Sequence, residues 1–337
     1  GCGHWLLEPQ STNLITQSEL FSDASWRKSA TIVGANSIIS ADGTQNASLI
    51  QSTQTGSASV GANNLTLTIG NTYTFSCFAK KGNNDWIRLA HISSGGTGCW
   101  FDLENGVVGT VNSQSATIED YGNGWYRCTN TFIATATTNL DNAFIGICDA
   151  NGSTTVGIVG KNDYLWGAQL EQNSFATSLI PTQGAISTRL ADIANNSGNA
   201  SLINSNEGVL YAEISALAND GTNRVITLSK SSDWSNRTFL RYDASANSIT
   251  YRYLVNGSIK VNLVHTLSNA TILNKIACKW ELNNFKLYVN GLNVGQDLSG
   301  SVISAGSLNK LNFNDGLGTN KFYGKNKALA VYKTALT

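Results

Sequence analysis

Short runs of alternating apolar and polar residues recur along the whole sequence, separated by clusters rich in Gly and Asn. Alternation with a period of two indicates a strand that is buried on one face, and no segment of useful length shows the period of an amphipathic helix. Many short strands at spacings of about 8–12 residues are typical of antiparallel sandwiches. The pattern predicts an all-β chain with strands at 72–80, 86–92, 99–103, 107–112, 124–134, 142–148, 163–171, 207–217, 223–229, 237–243, 247–254, 259–265, 271–280, 284–290, 308–313 and 322–332.

Two of the predicted connections carry a specific turn signal. Asn290-Gly291 separates two apolar runs, and Asn256-Gly257 separates another pair. Asn-Gly fits a two-residue hairpin turn because both central positions need a positive φ angle. We therefore expect an antiparallel hairpin at each position.

The length of the chain, 337 residues, suits two domains better than one. The stretch Gln183–Gly198 lacks strand periodicity and is the best candidate for a connector. We place the boundary near residue 187. The prediction is two tandem antiparallel β-sandwich (jelly-roll) domains, at 1–186 and 187–337.

The charge pattern argues against several partners. Lys and Arg together number 22, as do Asp and Glu, and charged residues make up only 13% of the chain. Without a basic tract there is little to neutralise phosphates, so neither nucleic acid nor an anionic membrane is expected as a partner. No run of about 18 apolar residues occurs, so we expect no membrane insertion.

The cysteines show no metal-binding spacing. No two of them form a CxxC pair, and only three His are present. Zinc is therefore not expected, and strand-like surroundings favour buried free thiols, as in a protein assembled in a reducing cytoplasm. The six residues are Cys2, Cys77, Cys99, Cys128, Cys148 and Cys278.

Four segments of the first half resemble a module common in phage virion proteins, in which a carbohydrate-binding-module-like jelly roll follows an "EP.xTNL" opening. They lie at 7–28, 73–80, 122–128 and 165–193, the last reading LWGAQLEQNSFATSLIPTQGAISTRLADI. Leu179 stands where Tyr is usual in that module. The resemblance implies a jelly-roll fold and a virion setting, and it carries no catalytic residue.

The second half resembles a concanavalin A/laminin-G-like domain of the kind that ends phage tail and head-fibre proteins. The resemblance is carried by 274–295 (NKIACKWELNNFKLYVNGLNVG) and by 322–337 (FYGKNKALAVYKTALT) within residues 207–337. It implies a second β-sandwich. Fibres of this kind usually form homo-oligomers, often trimers, because several weak sugar sites then act together.

Catalytic chemistry has little support. Asp102 and Glu104 share a strand face, and a glycosidase needs two carboxylates across the cleaved bond, but neither lies in a hydrolase motif. The simpler interpretation is that Asp102 caps the turn before Asn105-Gly106 and Glu104 is solvated. We expect no enzyme activity.

Tryptophan is the better indication of a ligand site, because a flat indole stacks on the apolar face of a sugar ring. Trp86, Trp100 and Trp234 follow polar or Gly-rich loops, and Asp85 and Asp233 precede two of them. We predict these five as ligand-binding residues, with the three indoles as exposed platforms. The alternative is that each indole fills the core from a loop edge. Four other Trp lie in strand-like segments and are expected in the core: Trp26, Trp125, Trp166 and Trp280.

No cofactor is expected, although Ca²⁺ is a candidate ion because folds of this kind often hold it with loop carbonyls and Asp. No EF-hand pattern supports a site, and the metal ligands stay unknown. The candidates are Asp42, Asp141, Asp149 and Asp163.

These observations predict a non-catalytic phage virion surface or fibre protein that adheres to host or environmental glycans. Two alternatives stay open. The chain could be a purely structural decoration protein of the virion, or it could supply the carbohydrate-binding modules of a secreted polysaccharide-degrading enzyme. The first would make large contacts with neighbouring virion proteins, and the second would need a catalytic domain beyond these residues.

Overall fold

A computed structural model describes residues 3–63, 65–91, 98–137, 143–230 and 233–336, except for the side chain of residue 233. Over these ranges every regular element is a strand, and nothing qualifies as a helix that could cross a membrane. The strands are, in chain order, β1 (Trp5–Leu7), β2 (Ser11–Asn13), β3 (Trp26–Ser29), β4 (Thr31–Ile38), β5 (Ala47–Ser52), β6 (Ala58–Ala62), β7 (Thr72–Lys81), β8 (Trp86–Ala90), β9 (Gly98–Asp102), β10 (Val107–Val111), β11 (Ser115–Gly122), β12 (Trp125–Ile133), β13 (Ala143–Cys148), β14 (Asn162–Glu171), β15 (Ser187–Arg189), β16 (Gly208–Ala216), β17 (Arg224–Lys230), β18 (Asp233–Tyr242), β19 (Ser248–Val255), β20 (Ser258–Thr266), β21 (Asn274–Trp280), β22 (Phe285–Val289), β23 (Leu292–Asp297), β24 (Lys310–Asn312) and β25 (Gly324–Tyr332).

The chain divides into two compact units, a first unit of Gln10–Leu190 and a second unit that combines residues 1–9 with 191–337. The domain boundary that we placed near residue 187 from the sequence stays a prediction. The N-terminal residues, which that prediction grouped with the first domain, lie in the second unit, because β1 pairs with β25 along Trp5–Leu7.

The first unit contains two six-stranded antiparallel sheets, in the orders β10-β9-β8-β13-β6-β3 and β11-β12-β7-β14-β5-β4, and a small β15-β2 ladder. Successive strands such as β6, β7 and β8 alternate between the two large sheets. Both sheets contribute side chains to one core, including Phe75 of β7 and Ile87 of β8. The all-β sandwich fold predicted from sequence is confirmed.

The second unit has a six-stranded sheet, β1-β25-β16-β21-β22-β23, and a five-stranded sheet, β20-β19-β18-β17-β24. Its core contains Trp280 and Phe285 from one sheet and Tyr251 from the other. Both predicted hairpins are confirmed: Asn290 and Gly291 connect β22 to β23, and Asn256 and Gly257 connect β19 to β20, all four with positive φ angles. That geometry matches the right-handed twist of the flanking strands.

Two predictions about buried side chains are confirmed. The four Trp residues expected in the core, at positions 26, 125, 166 and 280, are all buried. Every Cys that the structure describes, at positions 77, 99, 128, 148 and 278, is buried and free. Cys2 lies outside the described residues. Strand alternation and apolar neighbours were thus sufficient to place both residue types.

Candidate functional site

Trp86 and Trp100 lie on the same outer sheet face of the first unit. Ile87 and Leu89 of β8 point into the core, so Trp86 and Arg88 on that strand face outward. On β9, Trp100 lies directly opposite Arg88 and Asp102 lies opposite Trp86. Strand pairing therefore brings together two of the Trp residues that the sequence singled out.

Trp100 does not offer the exposed ring that we expected. Its side chain keeps only 4% of its surface exposed. Its indole Nε1 donates a hydrogen bond to the carbonyl of Ser153, and the Arg88 guanidinium lies 5.6 Å from its ring centroid. The prediction of an exposed platform at Trp100 is wrong because the turn after β13 and a neighbouring side chain cover the ring.

Trp86 is half-buried, and its ring lies against β10. A Cβ atom added to Gly109 would lie 2.7 Å from Trp86 Cζ3, so the glycine permits this close approach. The carboxylate of Asp85 is exposed and forms an ion pair with Lys81 Nζ at 2.7 Å. Lys81 also pairs with Glu104, and the two carboxylates raise the pKa of its ammonium. Asp85 therefore has a partner within its own chain.

Trp234 belongs to the second unit, so the three predicted platforms do not form one cluster within either unit. Its ring is 50% exposed. The guanidinium of Arg237 lies 5.0 Å from its centroid, and Arg237 also lies 5.3 Å from the ring of Phe239. Asp233 begins β18, and its side chain lies outside the described residues.

Asp102 takes the structural role that we predicted. Its Oδ1 accepts the backbone N–H groups of Glu104 and Asn105 at 2.9 and 3.0 Å. These hydrogen bonds hold the pKa of Asp102 below its usual value, although burial opposes the shift. Glu104, the other carboxylate considered for catalysis, is exposed and pairs with Lys81.

The calcium candidates accept hydrogen bonds from their own chain. Asp42 Oδ1 accepts from Thr44 N, and Asp149 Oδ2 accepts from Gly157 N. Asp163 is fully buried, and desolvation raises its pKa to about 7. Asp141 lies outside the described residues. Within the part that the structure describes, no three His, Cys, Asp or Glu side chains converge as a metal site would require, and calcium binding stays an untested expectation.

Sequence reasoning missed a polar cavity in the first unit, with a volume of about 320 Å³. Its wall is built where Gln17 and Gln183 meet in an antiparallel bridge. The indole of Trp26 fixes one side by donating to the carbonyl of Gln17 at 2.8 Å. The lining residues are Gln17, Glu19, Leu20, Asn36, Asn46, Thr182 and Gln183.

The polar groups of this cavity are largely unused. Among the described residues, the carboxylate of Glu19 and the side-chain amides of Gln17, Asn36 and Gln183 have no hydrogen-bond partner, and Asn46 Oδ1 is buried without one. Burial, and more weakly the charge of Asp42, raise the pKa of Glu19. Elsewhere the chain uses such amides to close turns, as Asn13 does with Ile15 N. The cavity therefore presents donors and acceptors that are available to a ligand.

No family model matches the chain, and no curated protein matches it. Among solved structures, it is similar to sheep galectin-11 in complex with glycerol, at 9% identity and a TM-score of 0.29, over 42% of this chain and 99% of that one. It is also similar to domains LG4-5 of the mouse laminin α1 chain, at 8% identity and a TM-score of 0.31, over 98% of this chain and 90% of that one.

Proposed function

We propose that this chain is a non-catalytic glycan-binding protein, and that the cavity of the first unit receives a sugar. The observation that carries the proposal is the set of unpaired amides and the one carboxylate, Glu19, around a cavity of about 320 Å³. Small-molecule sites are usually concave spaces of roughly 300–1,000 Å³ with a few convergent polar groups. The volume suits one or two sugar rings.

The chemistry of the cavity also matches a sugar. Each amide both donates and accepts, as a ring hydroxyl does, and a carboxylate accepts from hydroxyl pairs. Leu20, which is 41% exposed, offers the apolar patch that the CH face of a sugar requires. Asn46 Oδ1 is buried without a partner, which is unfavourable, so a ligand that donates a hydrogen bond to it gains affinity.

A binding role fits these residues better than hydrolysis. Hydrolysis of a glycosidic bond needs two carboxylates across the scissile bond, and Glu19 is the only acid in the cavity lining described above. Asp42 lies close enough to influence Glu19, but its Oδ1 accepts hydrogen bonds from Ser40 and Thr44. Asp42 is therefore poorly placed to act as a base or nucleophile.

The setting that we propose is the surface of a phage virion, assembled in the host cytoplasm. The support is the resemblance of 7–28 and 165–193 to virion modules; these segments contribute Gln17, Glu19, Thr182 and Gln183 to the cavity. A homo-oligomer, with a trimer as the favoured state, would multiply a weak sugar affinity through avidity. Immunogold electron microscopy of particles tests this location.

The binding test is a neutral glycan array probed with the full chain and with pocket variants. Asn123 is a matched control for Asn36, because both residues are exposed and have a positive φ angle. The backbone carbonyl of each accepts a hydrogen bond from a Gln or Lys side chain. Asn36→Gly should weaken binding about tenfold, whereas Asn123→Gly should leave it unchanged. Equal binding by both variants would remove the cavity as the sugar site.

A further inference from the structure

Arg88 lies on the outer face of β8, between two aromatic rings. Its guanidinium carbon is 5.6 Å from the Trp100 ring centroid and 5.0 Å from that of Phe144. Strand register produces this arrangement, since Arg88 is opposite Trp100 on β9 and opposite Gly146 on β13. Only 9% of the Arg88 surface is exposed, so a positive charge is held almost entirely within the protein.

No described residue accepts a hydrogen bond from this guanidinium or forms an ion pair with it, and its Nε is buried without a partner. The other two buried arginines also have an unpartnered Nε, but their Nη atoms have partners. Arg127 Nη2 donates to Ser76 Oγ at 3.1 Å and to the Thr177 carbonyl at 2.6 Å. Arg224 Nη2 pairs with Asp220 at 2.9 Å. Arg88 is thus an exception to the way this chain satisfies buried guanidinium groups.

The neighbours of Arg88 do not neutralise it. Burial raises the pKa of the Cys148 thiol to about 12, so that group is uncharged at neutral pH. Asp102, on the same face, is committed to the turn at Glu104 and Asn105. Burying an unpaired charge is unfavourable, and cation–π contacts offset only part of that cost. Desolvation accordingly lowers the pKa of Arg88.

We propose that Arg88 binds the carboxylate of an acidic sugar, at a second ligand site separate from the amide-lined cavity. A guanidinium presents a planar fork that fits a carboxylate through two parallel hydrogen bonds, and its single charge matches that of a carboxylate. The two rings hold the fork in one orientation. That the carboxylate belongs to a sugar rests on the proposed function, whereas the anion site itself does not.

The strand opposite Arg88 places a glycine beside the guanidinium. Gly146 carries no side chain, and a Cβ atom added there would lie 4.0 Å from Arg88 Nε and 3.7 Å from the Ala58 carbonyl, which are ordinary contact distances. Any larger residue would project from this position on the outer face. Gly146 therefore tolerates a small added side chain beside the guanidinium and provides a place to test the site.

The test is a titration of the full chain with glucuronate, glucose and acetate, followed by NMR of the arginine Nε–Hε signals. Glucuronate and acetate should shift one Nε–Hε signal that is absent in Arg88→Gln, and glucose should not. Arg88→Gln should weaken glucuronate binding at least about tenfold. Arg252→Gln is the matched control, because Arg252 is a half-buried strand arginine that donates to Asn262, and its affinity should equal that of the wild type.

Two further variants keep the proposal falsifiable if Arg88→Gln folds poorly. Gly146→Asp supplies an internal carboxylate, so it should remain folded and lose the response to glucuronate; a response equal to the wild type would overturn the site. A double-mutant cycle that pairs Asp141→Asn with Arg88→Gln tests whether Arg88 has an internal acidic partner. Asp141 is chosen because it lies outside the described residues. Additive changes in the free energy of unfolding support a free Arg88, and strong coupling would identify an internal partner and overturn the proposal.

The result separates this proposal from the proposed function. Asn36→Gly should bind neutral glycans about tenfold more weakly but keep the glucuronate shift. Arg88→Gln should bind neutral glycans as the wild type does and lose the glucuronate shift. If the wild type binds no neutral glycan, the cavity alone is rejected as a sugar site. Acetate binding would still report on Arg88. Absence of any carboxylate-induced shift in the wild type would reject the Arg88 site alone.

Discussion

Ser11 Oγ donates a hydrogen bond of 2.5 Å to the buried carboxylate of Glu171, which joins the start of the first unit to its last long strand. The same carboxylate accepts from Gln169 Nε2 at 2.6 Å and from Thr177 N at 3.0 Å. The hydroxyl of Thr177 donates to it as well. Four donors thus depend on one side chain that has no exposed surface.

Glu171→Ala should therefore strongly destabilise the first unit. Removing the carboxylate leaves several buried donors without an acceptor, and each such loss costs about 1–3 kcal/mol. We expect the free energy of unfolding to fall by at least about 3 kcal/mol in urea titrations. Glu119→Ala, at an exposed acid of β11, should change it by less than about 0.5 kcal/mol. Similar values for the two variants would contradict the structural role of Glu171.

Two buried titratable groups should impose opposite pH dependences on stability. Burial raises the pKa of Asp163 to about 7. The pKa of an Asp in the unfolded chain is near 4. Between that pH and pH 7 the carboxyl of Asp163 is protonated in the folded state and ionised in the unfolded state, so stability falls as pH rises. Burial lowers the pKa of His91 to about 4. Between pH 4 and about 6.5 the unfolded state binds the extra proton, so stability rises with pH.

The two effects oppose each other between pH 4 and 6.5, and substitutions should separate them. Relative to the wild type, Asp163→Asn should gain stability with rising pH, by up to about 1.4 kcal/mol per pH unit. Relative to the wild type, His91→Phe should instead lose stability as pH rises. Chemical denaturation at half-unit pH steps measures both slopes, and parallel curves for all three proteins would disprove the assignment.

The features that were predictable from sequence depend on neighbours along the chain. Alternation places Trp280 in a core strand, and the Asn290-Gly291 pair supplies the positive φ angles of its turn. Asp102 could be predicted as a turn cap because the groups that it binds lie only two and three residues ahead. Each of these features is decided by residues that lie close together along the chain.

The candidate sites were less predictable because they depend on strand order. Trp100 is covered by Ser153, which lies 53 residues away in sequence. The cavity requires Glu19 and Gln183 to lie on one wall, and nothing in the spacing of two such residues indicates that they meet. Arg88 and Phe144 likewise come together only through the pairing of β8 with β13. The resemblance marked some of these segments but not their contacts.

Gly324 should be intolerant of any side chain. A Cβ atom there would lie 2.2 Å from the backbone oxygen of Ser215, which cannot move without disturbing the ladder between β16 and β25. Gly324→Ala should lower the free energy of unfolding of the second unit by about 1–3 kcal/mol. Gly295→Ala is the control from the same sheet, because its nearest contact would be an ordinary 3.5 Å to Leu263. A loss in the control as large as in Gly324→Ala would show that crowding is not the cause.

Trp100 and Trp234 should respond differently to truncation, although the sequence suggested the same role for both. Trp100→Ala removes a buried indole and its hydrogen bond to Ser153, so we expect the free energy of unfolding to fall by about 3–5 kcal/mol. Trp234→Ala removes a half-exposed ring and its contact with Arg237, which is worth about 0.5–1 kcal/mol. Guanidinium chloride titrations monitored by circular dichroism measure both values. Any glycan that Trp234→Ala no longer binds, while its stability is retained, would make Trp234 a direct contact in the second unit. Loss of binding in Trp100→Ala would carry that meaning only where the variant is shown to be folded.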